Sequence, residues 1–204
     1  NGGNISTEAL QVPLQWMYYT TDSKQIKDIS RQFSDTSLKK FPISSVLNHK
    51  VYLRFLKGIK VIRPLNYMRY IKEEAKAELK NIYDWQDFSN KHYESVFTSF
   101  YEGYWLPKRF NFDTRKINLS SLILTGQISR DNALNILKKP ALDERTIEFQ
   151  YSFVAKKLRI SKDELESYMS MPIRTYKDYR NQSKIFDLGA RVLHFFGKEN
   201  SIKK

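Results

Sequence analysis

Apolar residues recur along most of this chain with a helical period. Ile26, Ile29 and Phe33 predict a helix from about Lys24 to Phe33 with Ser23 as its cap. Val46, Leu47, Val51, Leu53 and Leu56 predict another, opened by Pro42 and closed near Gly58. IKVIRPLNYM, residues 59–68, breaks the period. It is β-branched and almost continuously apolar, and predicts a short buried parallel strand. Strong helix formers follow from Tyr70 to Tyr83, where Glu73 and Lys76 are spaced to pair. From about Asn90 to Tyr104, Tyr93, Phe97, Phe100, Tyr101 and Tyr104 share one helix face. Lys91, Glu94, Ser95, Thr98 and Glu102 share another. Pro107 is expected to end this helix and to leave Lys108 and Arg109 in a turn. Asp113 is expected to cap a helix that stops at Gly126, with Arg115 and Lys116 in its first turn and a polar row at Thr114, Asn118, Ser121 and Thr125.

Three short helices come next. Ser129 caps the first, which Pro140 stops. The second covers 143–158 with Ile147, Tyr151, Val154 and Leu158 as its core stripe. The third follows a capping box, Ser161 to Glu164, and ends before Pro172. Residues 183–197 are amphipathic, with Ile185, Leu188, Val192, Phe195 and Phe196 apolar. The expected division is 1–69, 70–171 and a tail at 172–204.

Composition narrows the class. At 204 residues, 41% hydrophobic and 14% aromatic, the chain can bury a core. It has no cysteine, which excludes disulfides and thiolate metal sites within it and favours a reducing, cytoplasmic compartment. No apolar run approaches the ~20 residues of a membrane span. The chain opens on Asn1, and NGGNISTE reads as the interior of a longer protein. Its net charge of +13 suits a polyanionic partner: a nucleotide, a nucleic acid, an anionic membrane surface or an acidic subunit. A well-solvated lysine-rich surface would give the same balance.

Acidic, basic, imidazole and hydroxyl side chains converge between 90 and 125, a mixture suited to a phosphorylated ligand and equally compatible with a solvated helix face. There is no G-x-x-x-x-G-K-[ST], no SGG-x-DS-like loop, no HExxH and no nucleophile elbow.

KHYESVFTSFYEGY, RFNFDTRK, LSSLILTGQISRDNAL and KKP, in this order, resemble the C-terminal part of the N-acetyl sugar amidotransferase family of bacterial surface polysaccharide synthesis. The resemblance runs from about Gly2 to Tyr179 and is densest from Lys91 to Pro140. It implies an α/β fold, mostly helical in this piece: the end of an adenine nucleotide alpha hydrolase-like, Rossmann-like domain within 1–69, followed by a helical appendage. Arg63-Pro64-Leu65 is similar to the last strand-to-helix step of ATP pyrophosphatase domains. The implied reaction turns an acetamido group of a nucleotide-linked sugar into an acetamidino group, using ATP, Mg2+ and ammonia from a glutaminase subunit.

By the same resemblance Lys91, Lys108, Arg109, Arg115 and Lys116 would contact phosphate. Glu94 would bind magnesium or orient ammonia, and His92 would hydrogen-bond the ligand or transfer a proton. Ser95, Asn118, Ser120 and Ser121 would contact the sugar. Asp113 would be either a site residue or an N-cap. Asn4 and Glu8, in GGNISTE, would face the ligand, although that stretch also reads as a turn with a helix cap. The sequence departs from the family at Gly3, where an acid is usual, and at Val96 and Ser99, where bases are expected. Without its phosphate loop, this piece is not expected to hydrolyse ATP alone. The alternative is a basic helical nucleic-acid-binding module. Against it, Arg130, Lys138, Lys139, Arg145, Lys156 and Lys157 scatter over two helices rather than marking one recognition helix.

Overall fold

A computed structural model describes residues 21–60, 62–87 and 92–195. They form two compact units. The first holds the described parts of 63–171, and the second those of 13–62 and 172–204. Regular structure among the described residues is helical throughout.

The first unit begins with a single 3-10 turn, Pro64–Tyr67, and helix α2, Lys72–Tyr83. The strand expected at 59–68 is absent from the described residues there, and Ile59, Ile62, Tyr67 and Met68 are exposed. A parallel strand takes its hydrogen bonds from neighbouring strands, and no other strand is present among the described residues to supply them. Pro64 instead opens the turn, in which Asn66 N–H donates to Arg63 O at 3.0 Å. On α2, Lys76 pairs with Glu73 at 3.5 Å, as the spacing predicts, and with Asp87 at 2.7 Å.

The aromatic helix starts later and runs further than its pattern suggests. Helix α3, Val96–Phe100, passes through a π turn, Tyr101–Trp105, into α4, Leu106–Phe110. Ser95 starts it, its hydroxyl accepting Thr98 N–H at 3.3 Å. Pro107 does not end it. A proline inside a helix removes one N–H from the ladder, but here the ladder is already changing step. Leu106 N–H reaches back five residues to Tyr101 O, whereas Asn111 N–H reaches back four to Pro107 O. The true stop is Asn111, left-handed at φ 56°. Lys108 and Arg109 therefore lie in the last helical turn rather than in a loop.

Gly103 explains the close packing around the π turn. A Cβ there would lie 2.6 Å from the Tyr93 hydroxyl oxygen and 2.8 Å from Leu142 Cδ1. Phe100 is the centre of the core. Its ring meets Tyr151 edge-on at 5.5 Å, with Tyr104 at 5.5 Å and Trp105 at 5.9 Å. Val154 and Ala155 of α7, Glu144–Leu158, and Leu165 of α8, Lys162–Ser170, complete the core. Leu158, expected in the α7 stripe, is half exposed, because α7 closes there on left-handed Arg159. Beside Phe100, Ser99 is buried and accepts a 3.0 Å hydrogen bond from Gln150 Nε2. A basic side chain at 99 would put its charge in the α3–α7 seam, where burial is costly.

Helix α5, Arg115–Leu124, packs on α6, Arg130–Lys138, and Leu119 and Ala133 are their buried apolar residues. Gly126, left-handed at φ 71°, and Ser129 mark the end of α5 and the start of α6 as expected.

In the second unit, α1 is Ser23–Phe33, and its cap is Asp22 rather than Ser23. The buried Asp22 carboxylate accepts N–H groups of Lys24, Gln25 and, far along the chain, Gln182 at 2.6 Å. Pro42 lies in irregular chain and opens no helix. The next helix is a π-type element, Asn48–Leu56, ending before left-handed Gly58. Helix α9 spans Ser183–Phe195.

Phe100→Ala should cost about 3–5 kcal/mol in a urea melt. Gly103→Ala should cost about 1–3 kcal/mol, because the added methyl overlaps two side chains. Phe97→Ala, at an exposed ring on the same helix, should cost well under half as much as Phe100→Ala. Equal losses at 97 and 100 would refute this account of the core.

Candidate functional site

The densest polar cluster lies between the π turn and the start of α5. Arg115 grips Asp113 side-on. Its Nε lies 3.0 and 3.2 Å from the two carboxylate oxygens and its Nη2 is 2.8 Å from Oδ2. Arg115 Nη1 donates to Lys139 O at 2.8 Å, tying α5 to the end of α6. The two side chains are only 12% and 17% exposed, so this pair is far less screened than a surface ion pair. Asp113 also does capping work one position early: its Oδ1 accepts Arg115 N–H at 3.0 Å, although the formal cap of α5 is Thr114. Thr114 Oγ1 reaches Glu102 Oε2 at 3.5 Å.

Tyr93 stands in the same cluster. Its hydroxyl is buried and has no hydrogen-bond partner among the described residues. Burial pushes its pKa up to about 12; the Arg115 cation opposes the rise and the Glu102 and Asp113 carboxylates add to it. The hydrogen bonds that Arg115 donates to Asp113 lift it above its ordinary value despite burial. Both groups are thus held away from ionisation change near neutral pH. They are suited to binding and orienting a ligand, not to passing protons at that pH. Arg115 also borders an open groove of about 620 Å³, with Ile128, Asn132, Asn135, Ile136 and Lys139 on its walls. Cation, amide and apolar groups together suit an acceptor-rich ligand with a nonpolar face.

The expected site residues separate into several environments. Asn4, Glu8 and Lys91 lie outside the described residues. His92 is exposed and left-handed at φ 68°, with Nδ1 3.8 Å from the exposed Glu94 carboxylate. Ser95 is the cap of α3. Lys108 donates to Tyr104 OH at 2.7 Å. Arg109 donates through Nη1 to Met169 O and through Nη2 to Met171 O at 2.7 Å, satisfying carbonyls at the end of α8. Lys116 and Ser120 are exposed and Asn118 is half-buried on α5. Ser121 is buried, its hydroxyl donating to Ile117 O at 3.3 Å. Asp113 and Arg115 are the expected residues joined most closely. Tyr93, Glu102 and Thr114 are the additions. Periodicity alone puts Tyr93 on the apolar face, and its one sequence signal is a phenol where a phenylalanine would be equally apolar. Among the described residues no group of three His, Asp or Glu is placed to hold a metal ion.

The fold and cluster define a small helical domain with a cation-lined polar notch. Residues 94–193 match the family model described as LPS biosynthesis protein WbpG-like, C-terminal domain. A domain of that kind implies a role in LPS biosynthesis. No curated protein and no solved structure matches the chain. No helix among the described residues is long and apolar enough to cross a membrane.

Tyr93→Phe should leave stability unchanged or raise it by up to about 1–3 kcal/mol, since it removes a buried hydroxyl that lacks a partner. An unfolded tyrosine ionises near pH 10, and Tyr93 in the fold near about 12. Its contribution is therefore intact below pH ~10 and lost as the pH climbs through about 12. Urea melts at alkaline pH should fall less steeply for Tyr93→Phe than for the parent chain. Parallel alkaline limbs would rule out a buried phenol at 93.

Proposed function

We propose that this chain is the C-terminal helical part of an ATP-dependent N-acetyl sugar amidotransferase of LPS O-antigen synthesis, working with a glutaminase that delivers ammonia. The observation that carries this is the WbpG-like match over 94–193, which overlaps the stretch whose motifs resemble that family. The substrate would be a nucleotide-linked sugar whose acetamido oxygen is replaced by NH.

ATP supplies the activation in such a reaction. The sequence holds no glycine-serine phosphate loop, and the described residues hold no magnesium-binding cluster, so neither group is fitted to this piece. In this proposal the adenine nucleotide alpha hydrolase-like domain carries ATP, and the helical unit binds the sugar. Lys116, exposed beside the Asp113–Arg115 pair, is the cation for the sugar's phosphates. Arg115, which borders the groove, fixes the ligand's orientation, and Tyr93, its hydroxyl buried, packs behind it. Asn118 and Ser120 contact its hydroxyls. Arg109 and Ser121, already engaged within the fold, act as supports.

The enzyme, assayed with ATP, ammonia and a nucleotide-linked acetamido sugar, should yield a product with NH in place of the acetamido oxygen, detected by mass spectrometry. Lys116→Ala should lower kcat/KM about 10- to 100-fold, the worth of one charge-assisted hydrogen bond. ATP turnover with no amidine, or tight sequence-dependent binding of duplex DNA at physiological salt, would refute the proposal.

A further inference from the structure

Charge is divided very unevenly between the two units. Segments 13–62 and 172–204 contain 17 Lys and Arg against 6 Asp and Glu, so +11 of the chain's +13 belongs to the second unit. Three of those six acids are engaged inside it. Asp22 caps α1 and holds Gln182 N–H, Asp28 accepts Arg180 N–H at 2.9 Å, and Asp178 accepts Thr175 N–H. The surface charge that remains is dominated by bases.

The same unit exposes a narrow apolar stripe. On α9, Ile185, Leu188, Val192 and Phe195 are 43%, 62%, 46% and 85% exposed. Their 3-4-3 spacing puts them on one side of the helix, and the same count sets Lys184 and Arg191, both exposed, along one border. Lys198, Lys203 and Lys204 follow in the sequence.

We propose that the second unit docks on an anionic phospholipid surface, with the α9 stripe entering the headgroup boundary and the flanking bases meeting lipid phosphates. An amphipathic helix bordered by Lys and Arg has the chemistry of such an interface. A duplex nucleic acid would use the bases but leave four aliphatic and aromatic side chains without a role. A second copy of the chain would bring another +11 against the first, so self-pairing through this unit is opposed by repulsion. The proposal is independent of the amidotransferase assignment.

The test is sedimentation of the whole chain with vesicles. One set mixes phosphatidylglycerol with phosphatidylethanolamine, and the other is phosphatidylcholine alone. Partition into the anionic set should exceed that into the neutral set by about tenfold or more and should weaken as salt rises. Lys184→Glu with Arg191→Glu should lower it by at least about tenfold, since each basic residue lost is worth roughly fivefold. Leu188→Ser with Val192→Ser should lower it severalfold with every charge kept. All four positions are exposed. Circular dichroism checks each pair, and if one pair loses its helix the other decides. Equal partition into both vesicle sets would overturn the proposal, as would binding indifferent to the pair that still folds. So would tighter binding of duplex DNA or polyglutamate that Leu188→Ser with Val192→Ser leaves unchanged.

Discussion

A missing methyl group at position 103 lets three parts of the first unit meet. Tyr93 and Leu142 both press against the Gly103 backbone, closer than any side chain there would permit. Leu142 comes from the connection between α6 and α7, and Tyr93 from the residues before α3. Their contact with the π turn fixes where the aromatic helix sits against α7, and so where Phe100 finds Tyr151 and Val154. The Tyr93 ring also carries its hydroxyl among Glu102, Asp113 and Arg115. Core packing and the polar notch thus depend on one backbone position.

The two units differ in what they offer a ligand. The first is close to balanced in charge and holds its cations in specific geometry: Arg115 against Asp113, Arg109 against the end of α8, Lys108 over the Tyr104 ring. Such cations are oriented and partly desolvated, which favours recognition of one ligand shape. The second unit spreads its bases over an open surface beside apolar side chains. That arrangement favours attraction to an extended anionic surface without geometric selectivity. The WbpG-like match over 94–193 implies a role in LPS biosynthesis, and the two proposals above assign an activated sugar to the first unit and an anionic surface to the second.

Features decided within a few residues were legible in the sequence. Ser129 and Ser161 cap the helices assigned to them, because an N-cap bond closes within three residues. Asp113 and Arg115 sit two residues apart, so their pairing is also a local matter. Features decided by distant partners were not legible. Asp22 outcompetes Ser23 as the cap of α1 because it also holds Gln182, which no local rule includes. Arg109 looked like a free turn cation, but its partners are the carbonyls of Met169 and Met171. The apolar run 59–68 has the composition of a buried strand, yet a strand is a property of at least two segments, and only one was in view. The π turn escaped for a related reason. Periodicity assumes an even step, and Tyr101–Trp105 alters it without leaving any mark in residue type except Gly103.

A π turn closes its hydrogen bonds over five residues instead of four, so one residue is lodged in the helix beyond what an even coil would hold. Everything after Trp105 is therefore out of phase with everything before Phe100 by about 100°, one residue's rotation. Loss of a single codon within 101–105 would preserve the reading frame and return the coil to an even step, with Lys108 and Arg109 still on the side of the axis they occupy now. Arg109 would keep the carbonyls of Met169 and Met171, and what would be lost is the wide turn that brings Gly103 against Tyr93 and Leu142. For this helix, length and phase are uncoupled at the wide turn, and the gain or loss of one residue there is felt in the packing at Gly103 and not in the direction of the side chains that follow.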